Sequence, residues 1–175
     1  MYVDYTLNMP VIDSSTLVSF AKIQRLGLVK LLDKIITIQE VYEECVEKGI
    51  NLGYPDALKI KQLFNGKAIV IEDLGVYKKF SGVSEVDSKI ISLAKEKKDY
   101  LLVDDVKLGR RAKAENVEVR NTPDILLYLM KTKKIAEKDI RMLLQKMVEN
   151  KRLSEKTRNS YEKAGGLYNG KSSKD

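Results

Sequence analysis

Carboxylates dominate the residues of this chain that could do chemistry. Asp13 directly follows Val11-Ile12, and the pair Asp104-Asp105 directly follows Leu101-Leu102-Val103. These are the two strongest short apolar runs, so both sites read as the carboxyl ends of buried strands. Ligands of open parallel α/β sheets gather at that edge. Carboxylates collected there repel one another unless something positive sits between them, and a hard divalent cation such as Mg²⁺ or Mn²⁺ is the natural neutraliser. The sequence contains no histidine, which removes Ser-His-Asp and Cys-His catalysis, histidine general bases and the usual catalytic zinc sites together. Its one cysteine, Cys45, stands in an apolar-periodic stretch and reads as a small core residue.

Each acid also has an ordinary explanation. Asp13 could cap the helix that follows it, although Ser14 and Ser15 already offer that service. Asp87 stands three residues after Ser84, the spacing of a capping box. Glu40, Glu43 and Glu44 lie in the first turns of a helix, where acids oppose the helix dipole, and spacing does not choose among them. Asp104 and Asp105 could begin a turn or cap the next helix.

The elements that must position these residues alternate. Strand-like Val11-Ile12 leads to a helical stripe through Leu17, Phe20, Ala21 and Ile23, then a short helix over 28–32 and a strand over 35–38. Residues 40–48 have helical spacing and stop at Gly49, 57–64 read as helix, and 68–71 as strand. A helix after Ser84 carries Val86, Ile90, Ile91, Leu93 and Ala94 on one side; strand 101–103, helix 106–114 and strand 117–119 come next. That order predicts an α/β fold, a parallel central sheet flanked by helices with right-handed crossovers. From Thr122 the pattern is helical, over 125–130, 140–148 and 154–164. The predicted organisation is an α/β domain over 1–130, a basic helical extension over 131–164 and a disordered tail over 165–175.

The net charge of +7 is unevenly spread: residues 1–130 hold 19 groups of each sign, and residues 131–175 hold 13 basic and 6 acidic. A basic flank on a balanced body suits a polyanionic partner, and it is equally what a solvated helix face looks like. No early segment looks like a secretion signal, and no apolar stretch nears the length that spans a bilayer, so the expectation is a cytoplasmic protein with no membrane partner.

In order along the chain, Val11-Ile12-Asp13-Ser14-Ser15, Val41-Tyr42-Glu43-Glu44, Asp87 with Ile90-Ile91-Ser92-Leu93-Ala94, and Leu101-Leu102-Val103-Asp104-Asp105 resemble the PIN domain. The similarity runs from about Met9 to Val119. Arg152-Leu153-Ser154-Glu155, Tyr161 and Ala164-Gly165 look like the helical appendage of an uncharacterised prokaryotic PIN branch. Most PIN proteins are Mg²⁺- or Mn²⁺-dependent nucleases acting on RNA, and many are toxins held by an antitoxin. The resemblance implies catalytic roles for Asp13, Glu44, Asp87 and Asp105, with Glu43 the alternative to Glu44. It implies metal binding by Asp13, Asp87 and the Asp104-Asp105 pair. Asp105 matches the acid two places beyond a position often held by Thr or Ser, here Val103, so a hydroxyl contact is missing and the choice between Asp104 and Asp105 stays open.

The expected activity is metal-dependent endoribonuclease cleavage, preferentially of single-stranded RNA, and a toxin role with an antitoxin partner is in keeping with the family. Ser14, Lys107, Arg110 and Arg111 are candidate substrate contacts, although N-capping and solvated helix charge explain them too. Exposed Leu and Tyr residues in the C-terminal helices make a homodimer reasonable. The main rival is the same fold with an impaired metal site, binding RNA or protein through its basic helices. A receiver-like phosphoryl-transfer domain is weakened by the late position of the Asp pair and by the lack of a Gly-Lys-Ser or Gly-Lys-Thr loop. The nuclease reading requires that Asp13, Asp87 and Asp105 reach a common ion.

Overall fold

The computed structural model describes residues 9–32 and 34–167. Its sheet is built on β1 (Val11–Ile12), whose two residues are wholly buried. β1 lies between β2 (Ile35–Thr37) and β4 (Leu101–Leu102), and β3 (Ile69–Ile71) and β5 (Val119–Arg120) complete the order β3-β2-β1-β4-β5, every pairing parallel. A strand covered on both faces carries apolar residues throughout rather than in alternation, which is why these short runs are legible in the sequence. Residues beyond the strand ends extend the ladder: the Asp13 amide bonds the Leu102 carbonyl at 2.9 Å, and the Val103 amide bonds that of Arg120 at 2.9 Å.

Helices fill every connection. α1 (Ser14–Lys22) follows β1 and a 3₁₀ turn (Leu26–Leu31) follows α1. α2 (Gln39–Tyr42), a π-helical turn (Glu43–Lys48) and α3 (Gly49–Asn51) run on without a break in right-handed helical backbone, and α4 (Pro55–Asn65) leads to β3. α5 (Glu85–Lys97) joins β3 to β4, and α6 (Val106–Ala114) joins β4 to β5. With the strand order above, right-handed crossovers carry α1 to α4 over one face and α5 and α6 over the other.

Two local expectations are corrected. Gly49 does not end its helix; its φ of −60° and ψ of −43° are helical. A Cβ there would stand 2.7 Å from the Cβ of Ala57, so glycine is present to let α4 approach. The last strand begins at Val119 rather than Val117, because Asn116 turns left-handed and the Val117 amide bonds the Ala112 carbonyl at 3.0 Å, closing α6.

The chain divides into two compact units, Met1–Thr122 and Pro123–Asp175. The second is helical: α7 (Thr122–Lys131, whose first residue closes the first unit), α8 (Glu137–Glu149) and α9 (Glu155–Ala164). This places the division before α7, against an expected boundary at residue 130. Leu143, Leu144 and Met147 of α8 are buried, and the Tyr161 hydroxyl of α9 bonds Asp124 at 2.9 Å. Gly165 to Leu167 do not begin a loose tail. Leu167 is buried, its carbonyl accepts from Arg141, and Gly165 sits against Leu127. The rest of the predicted disordered tail, 168–175, lies outside the described residues. Among the described residues no helix is long and apolar enough to cross a membrane.

Replacing Gly49 by valine forces a branched side chain into the α3–α4 contact, and the strain of overpacking is expected to cost about 2 kcal/mol. Urea unfolding of Gly49→Val beside wild type measures it; equal midpoints would show that Gly49 is not the contact that sets α4.

Candidate active site at the carboxyl edge of the sheet

Because β1 and β4 are neighbours in parallel register, the residues after them meet. Asp13 takes the extended N-cap conformation of α1 (φ −93°, ψ 157°), and its Oδ2 accepts from the Ser15 amide at 3.0 Å and the Ser15 hydroxyl at 2.5 Å. The Ser15 Oγ in turn accepts from the backbone amides of Asp104 at 3.0 Å and Asp105 at 3.2 Å. One hydroxyl thus ties the β1–α1 corner to the β4–α6 corner. The sequence argument that Ser14 and Ser15 relieve Asp13 of capping is therefore reversed: they are already helical, and only Asp13 has the dihedrals of a cap. Ser14, the candidate substrate contact, is half-buried on the first turn.

The remaining acids also sit at helix N-termini. Asp105 caps α6, its Oδ1 accepting from the Leu108 amide at 2.7 Å, and it is exposed. Asp87 completes the predicted capping box, its Oδ2 accepting from the Ser84 amide at 3.0 Å while Ser84 Oγ accepts from the Asp87 amide at 3.0 Å. Asp104 differs. Both its oxygens are engaged by Thr122, one by the amide and one by the hydroxyl, each at 2.7 Å. The choice that the sequence leaves open thus acquires a physical content: Asp104 clasps the segment after β5, and Asp105 faces solvent with one carboxylate oxygen outside its cap bond.

Asp13 is only 7% exposed. Burial pushes its carboxyl above the ordinary aspartate range against the pull of its Ser15 hydrogen bonds, and the charge of Glu44 pushes the same way. Burial, then Glu44 and Asp13, likewise push the Cys45 thiol up to about 12, in keeping with a neutral core thiol. Glu44, on the π-helical turn, is therefore the acid of its helix whose field reaches Asp13. Glu40, by contrast, pairs with Lys89 of α5, clasping the two helical layers across this edge two residues from Asp87. Burial works to raise Glu40, but the Lys89 contact holds it below the usual carboxylate range.

The donors match a hard divalent cation in kind: all are carboxylate oxygens, and the buried Asp13 faces a negative neighbour with no cation among the described residues beside it to balance the pair. They are not gathered into a cage. Among the described residues, no three acidic or thiol side chains stand close enough together to hold one ion. The structure brings Asp13 and Ser15 together with the backbone of Asp104 and Asp105, places Glu44 within electrostatic reach, and leaves the Asp87 and Asp105 carboxylates on their own caps.

Of the candidate phosphate contacts, Lys107 and Arg110 are exposed on α6 and have no ion-pair partner among the described residues. The Arg111 guanidinium pairs with Glu115 at 2.5 Å and lies 5.4 Å from the Phe80 ring centre. Val103, where a hydroxyl is usual, is buried against α6 at Gly109. Sequence reasoning misses the Ser15 bridge, whose only signal is a hydroxyl two residues beyond a strand-end acid.

A model of the PIN domain family matches residues 9–164. The chain belongs to the PIN domain family. The match takes in the C-terminal helices as well as the α/β unit. Two solved structures are similar. One is a PilT N-terminus domain protein from the hyperthermophilic archaeon Sulfolobus solfataricus P2, at 18% identity, 67% of this chain, 90% of that chain and a TM-score of 0.49. The other is a domain of a functionally unknown protein from Methanocaldococcus jannaschii DSM 2661, at 25% identity, 65% of this chain, 89% of that chain and a TM-score of 0.43. No curated protein gives a significant match. The PIN domain is a nuclease-type fold and typically uses divalent metal ions, and the acids found here stand at the edge where an α/β sheet binds ligands.

The acid edge of this PIN domain is open to two tests that need no substrate. Ser15→Ala strands two backbone amides and a buried carboxylate, with an expected loss of about 1–3 kcal/mol in urea unfolding; a loss below the error of the measurement would show that the bridge does not hold the corners together. A folded carboxyl that holds its proton more tightly than the unfolded one makes stability fall as pH rises from the unfolded value through the raised folded value. Asp13→Asn is therefore expected to melt above wild type at neutral pH, with the advantage shrinking as pH drops toward the unfolded value. A gap independent of pH contradicts the assignment.

Proposed function

We propose that this PIN-domain protein is a divalent-metal-dependent endoribonuclease, with Asp13, Glu44, Asp87 and Asp105 as the acids that hold one or two Mg²⁺ or Mn²⁺ ions. The observation that supports this most is the buried, uncompensated Asp13, locked by Ser15 to the backbone of the second acid-bearing corner. A bound ion would lower the pKa of a water and offset charge on the leaving oxygen of a phosphodiester. The chain's own residues do the rest. Ser15 holds Asp13 in one rotamer and keeps the two corners in register. The N-termini of α1, α5 and α6 supply partial positive charge to the acids at rest, so the carboxylates tolerate one another. Asp87 and Asp105 each keep one oxygen on a backbone amide and have a second to offer to an ion. Lys107 and Arg110, exposed on α6, would meet substrate phosphates.

Single-stranded RNA is the substrate class that this reading favours, with a toxin role, an antitoxin partner and a homodimer as parts of the same proposal; the proposed compartment is the cytoplasm. A second reading has a specific observation behind it: since no three acids among the described residues form a ready ion site and Val103 replaces a hydroxyl, the fold can serve as a PIN-like RNA- or protein-binding module with an impaired metal site.

Cleavage of a labelled single-stranded RNA with Mn²⁺ decides between them. The nuclease reading expects activity abolished by EDTA and lowered at least about 100-fold in both Asp13→Asn and Asp105→Asn. RNA binding with no Mn²⁺-dependent cleavage, and no Mn²⁺-induced rise in melting temperature that the two variants lose, establishes the binding module instead.

A further inference from the structure

Away from the acids, α5 and α6 bring together a set of charges that does not balance. Phe80, buried, is held against α5 by its amide's bond to Ser88 Oγ at 3.1 Å, and the same loop is pinned again by the Lys78 amide on Ser92 Oγ at 3.3 Å. Three cations surround its ring: Lys78 Nζ at 5.3 Å from the centre, Lys95 Nζ at 5.7 Å and the Arg111 guanidinium carbon at 5.4 Å. Cation–ring attraction offsets part of their mutual repulsion. One carboxylate answers all three. Glu115 lies 3.3 Å from Lys95 and 2.5 Å from Arg111, and although burial works to raise it, Lys95, Arg111 and Lys78 together hold it below the usual carboxylate range. The other acids nearby are taken: Glu96 pairs with Lys97 at 3.6 Å, and Glu85 with Lys79 at 4.0 Å and with the Tyr77 hydroxyl. Lys78 has no ion-pair partner among the described residues.

We propose that this cluster is a second contact for the phosphate backbone of single-stranded RNA, an exosite remote from the cleavage edge. The proposal rests on the RNA-directed function above and adds where a longer strand lies. Arg111 is six residues along α6 from the Asp105 cap and Lys95 eight residues along α5 from Asp87, which at the helical rise is roughly 9–12 Å. A strand whose scissile bond sits at the acids reaches the cluster by running along the α5–α6 face. The surface there is concave. Lys78, Phe80 and Lys95 border a hollow of about 370 Å³ walled by Tyr77 and by Val76, which is 91% exposed. Lys95 and Glu115 also border a second hollow of about 570 Å³, where Lys98 stands with Asp99 and where Arg120 is paired to Glu118 at 2.6 Å, so its charges balance and the unbalanced cations are those of the first hollow. Lys95 stands on the ridge between them. A cationic ridge with aromatic and apolar walls is the make-up of sequence-tolerant single-strand tracks, where phosphates meet the cations and bases rest on the walls. A protein partner meeting the same cations through carboxylates is the alternative that the test excludes.

The test needs neither metal nor cleavage. Binding of a fluorescein-labelled single-stranded RNA of about 20 nucleotides is followed by anisotropy in EDTA across a salt series. The double variant Lys78→Gln/Lys95→Gln is expected to weaken binding about tenfold and to flatten the dependence of log Kd on log salt by about 0.7 for each phosphate no longer neutralised. Lys78→Arg/Lys95→Arg, which keeps the charge, is expected to bind like wild type, and Lys22→Gln/Lys30→Gln on the opposite helical layer is expected to change neither value. Unchanged affinity in the first variant, an equal loss in the opposite-layer variant, or no RNA binding by wild type overturns the exosite. Binding without any Mn²⁺-dependent cleavage sinks the nuclease reading and leaves the exosite standing.

Discussion

The Ser15 hydroxyl is the interaction on which the acid edge depends. It donates to the Asp13 carboxylate and accepts from two amides at the exit of the neighbouring strand, so it satisfies three backbone or side-chain groups at the place where two strands end and two helices begin. Parallel pairing brings the exits of β1 and β4 side by side; it does not by itself orient the turns beyond them. Helix starts leave amides without partners, and at this junction they are satisfied by a serine and by the acids themselves. The geometry of the edge is thus set by hydrogen-bond satisfaction before any ligand is considered.

The same requirement separates the parts of the structure that are legible in the sequence from those that are not. The strands β1 and β4 are visible because a doubly covered strand is continuously apolar, and α5 and α6 because their apolar faces recur at helical spacing. The Asp87 capping box is visible because its spacing is local. The hidden features are non-local. Ser15 looks like one of two spare caps because its partners lie 89 and 90 residues away. Gly49 looks like a terminator because the reason for a glycine, Ala57 of another helix, does not appear in local periodicity. Nothing in the sequence around Thr122 signals that it occupies both oxygens of Asp104, so adjacency makes Asp104 and Asp105 look interchangeable while the fold gives them different work.

Capping and metal binding look like competing explanations for each acid when only the sequence is read, and the structure makes that opposition too sharp. Asp13, Asp87 and Asp105 are all helix-capping acids and all belong to the motif that resembles the family's site. An aspartate at a helix N-terminus is pre-oriented by the backbone and faces the positive end of the helix dipole, which also suits a metal ligand, although at Asp13 burial outweighs that help. The cost is that a bond to the cap competes with a bond to an ion, by about 1 kcal/mol for each cap that must be released. Such a sum is small against the charge repulsion that a divalent ion relieves, provided Asp13 is ionised. Under the proposed function, the acids would stay on their separate caps until a cation drew them together; among the described residues no three of them form a ready cage.

The charge asymmetry of the chain has a related structural basis. In the helical second unit the acids are drawn to arginines: Glu137 to Arg141, and Glu155 and Glu162 to Arg158. Its lysines at 131, 133, 138, 151, 156 and 163 make no ion pair with any described residue. The surplus is therefore carried by flexible, strongly hydrated ammonium groups, and the planar guanidinium groups of Arg141 and Arg158 are committed to structure. Lysines of that kind attract a polyanion without reading its sequence and lose that attraction in salt. The α5–α6 cluster has a different character, since the ring of Phe80 and the carboxylate of Glu115 hold its cations in place. Under the proposed function, long-range attraction from the lysines of the second unit and a positioned contact on the first would be separable contributions, and only the positioned one would set where along a strand the acids act.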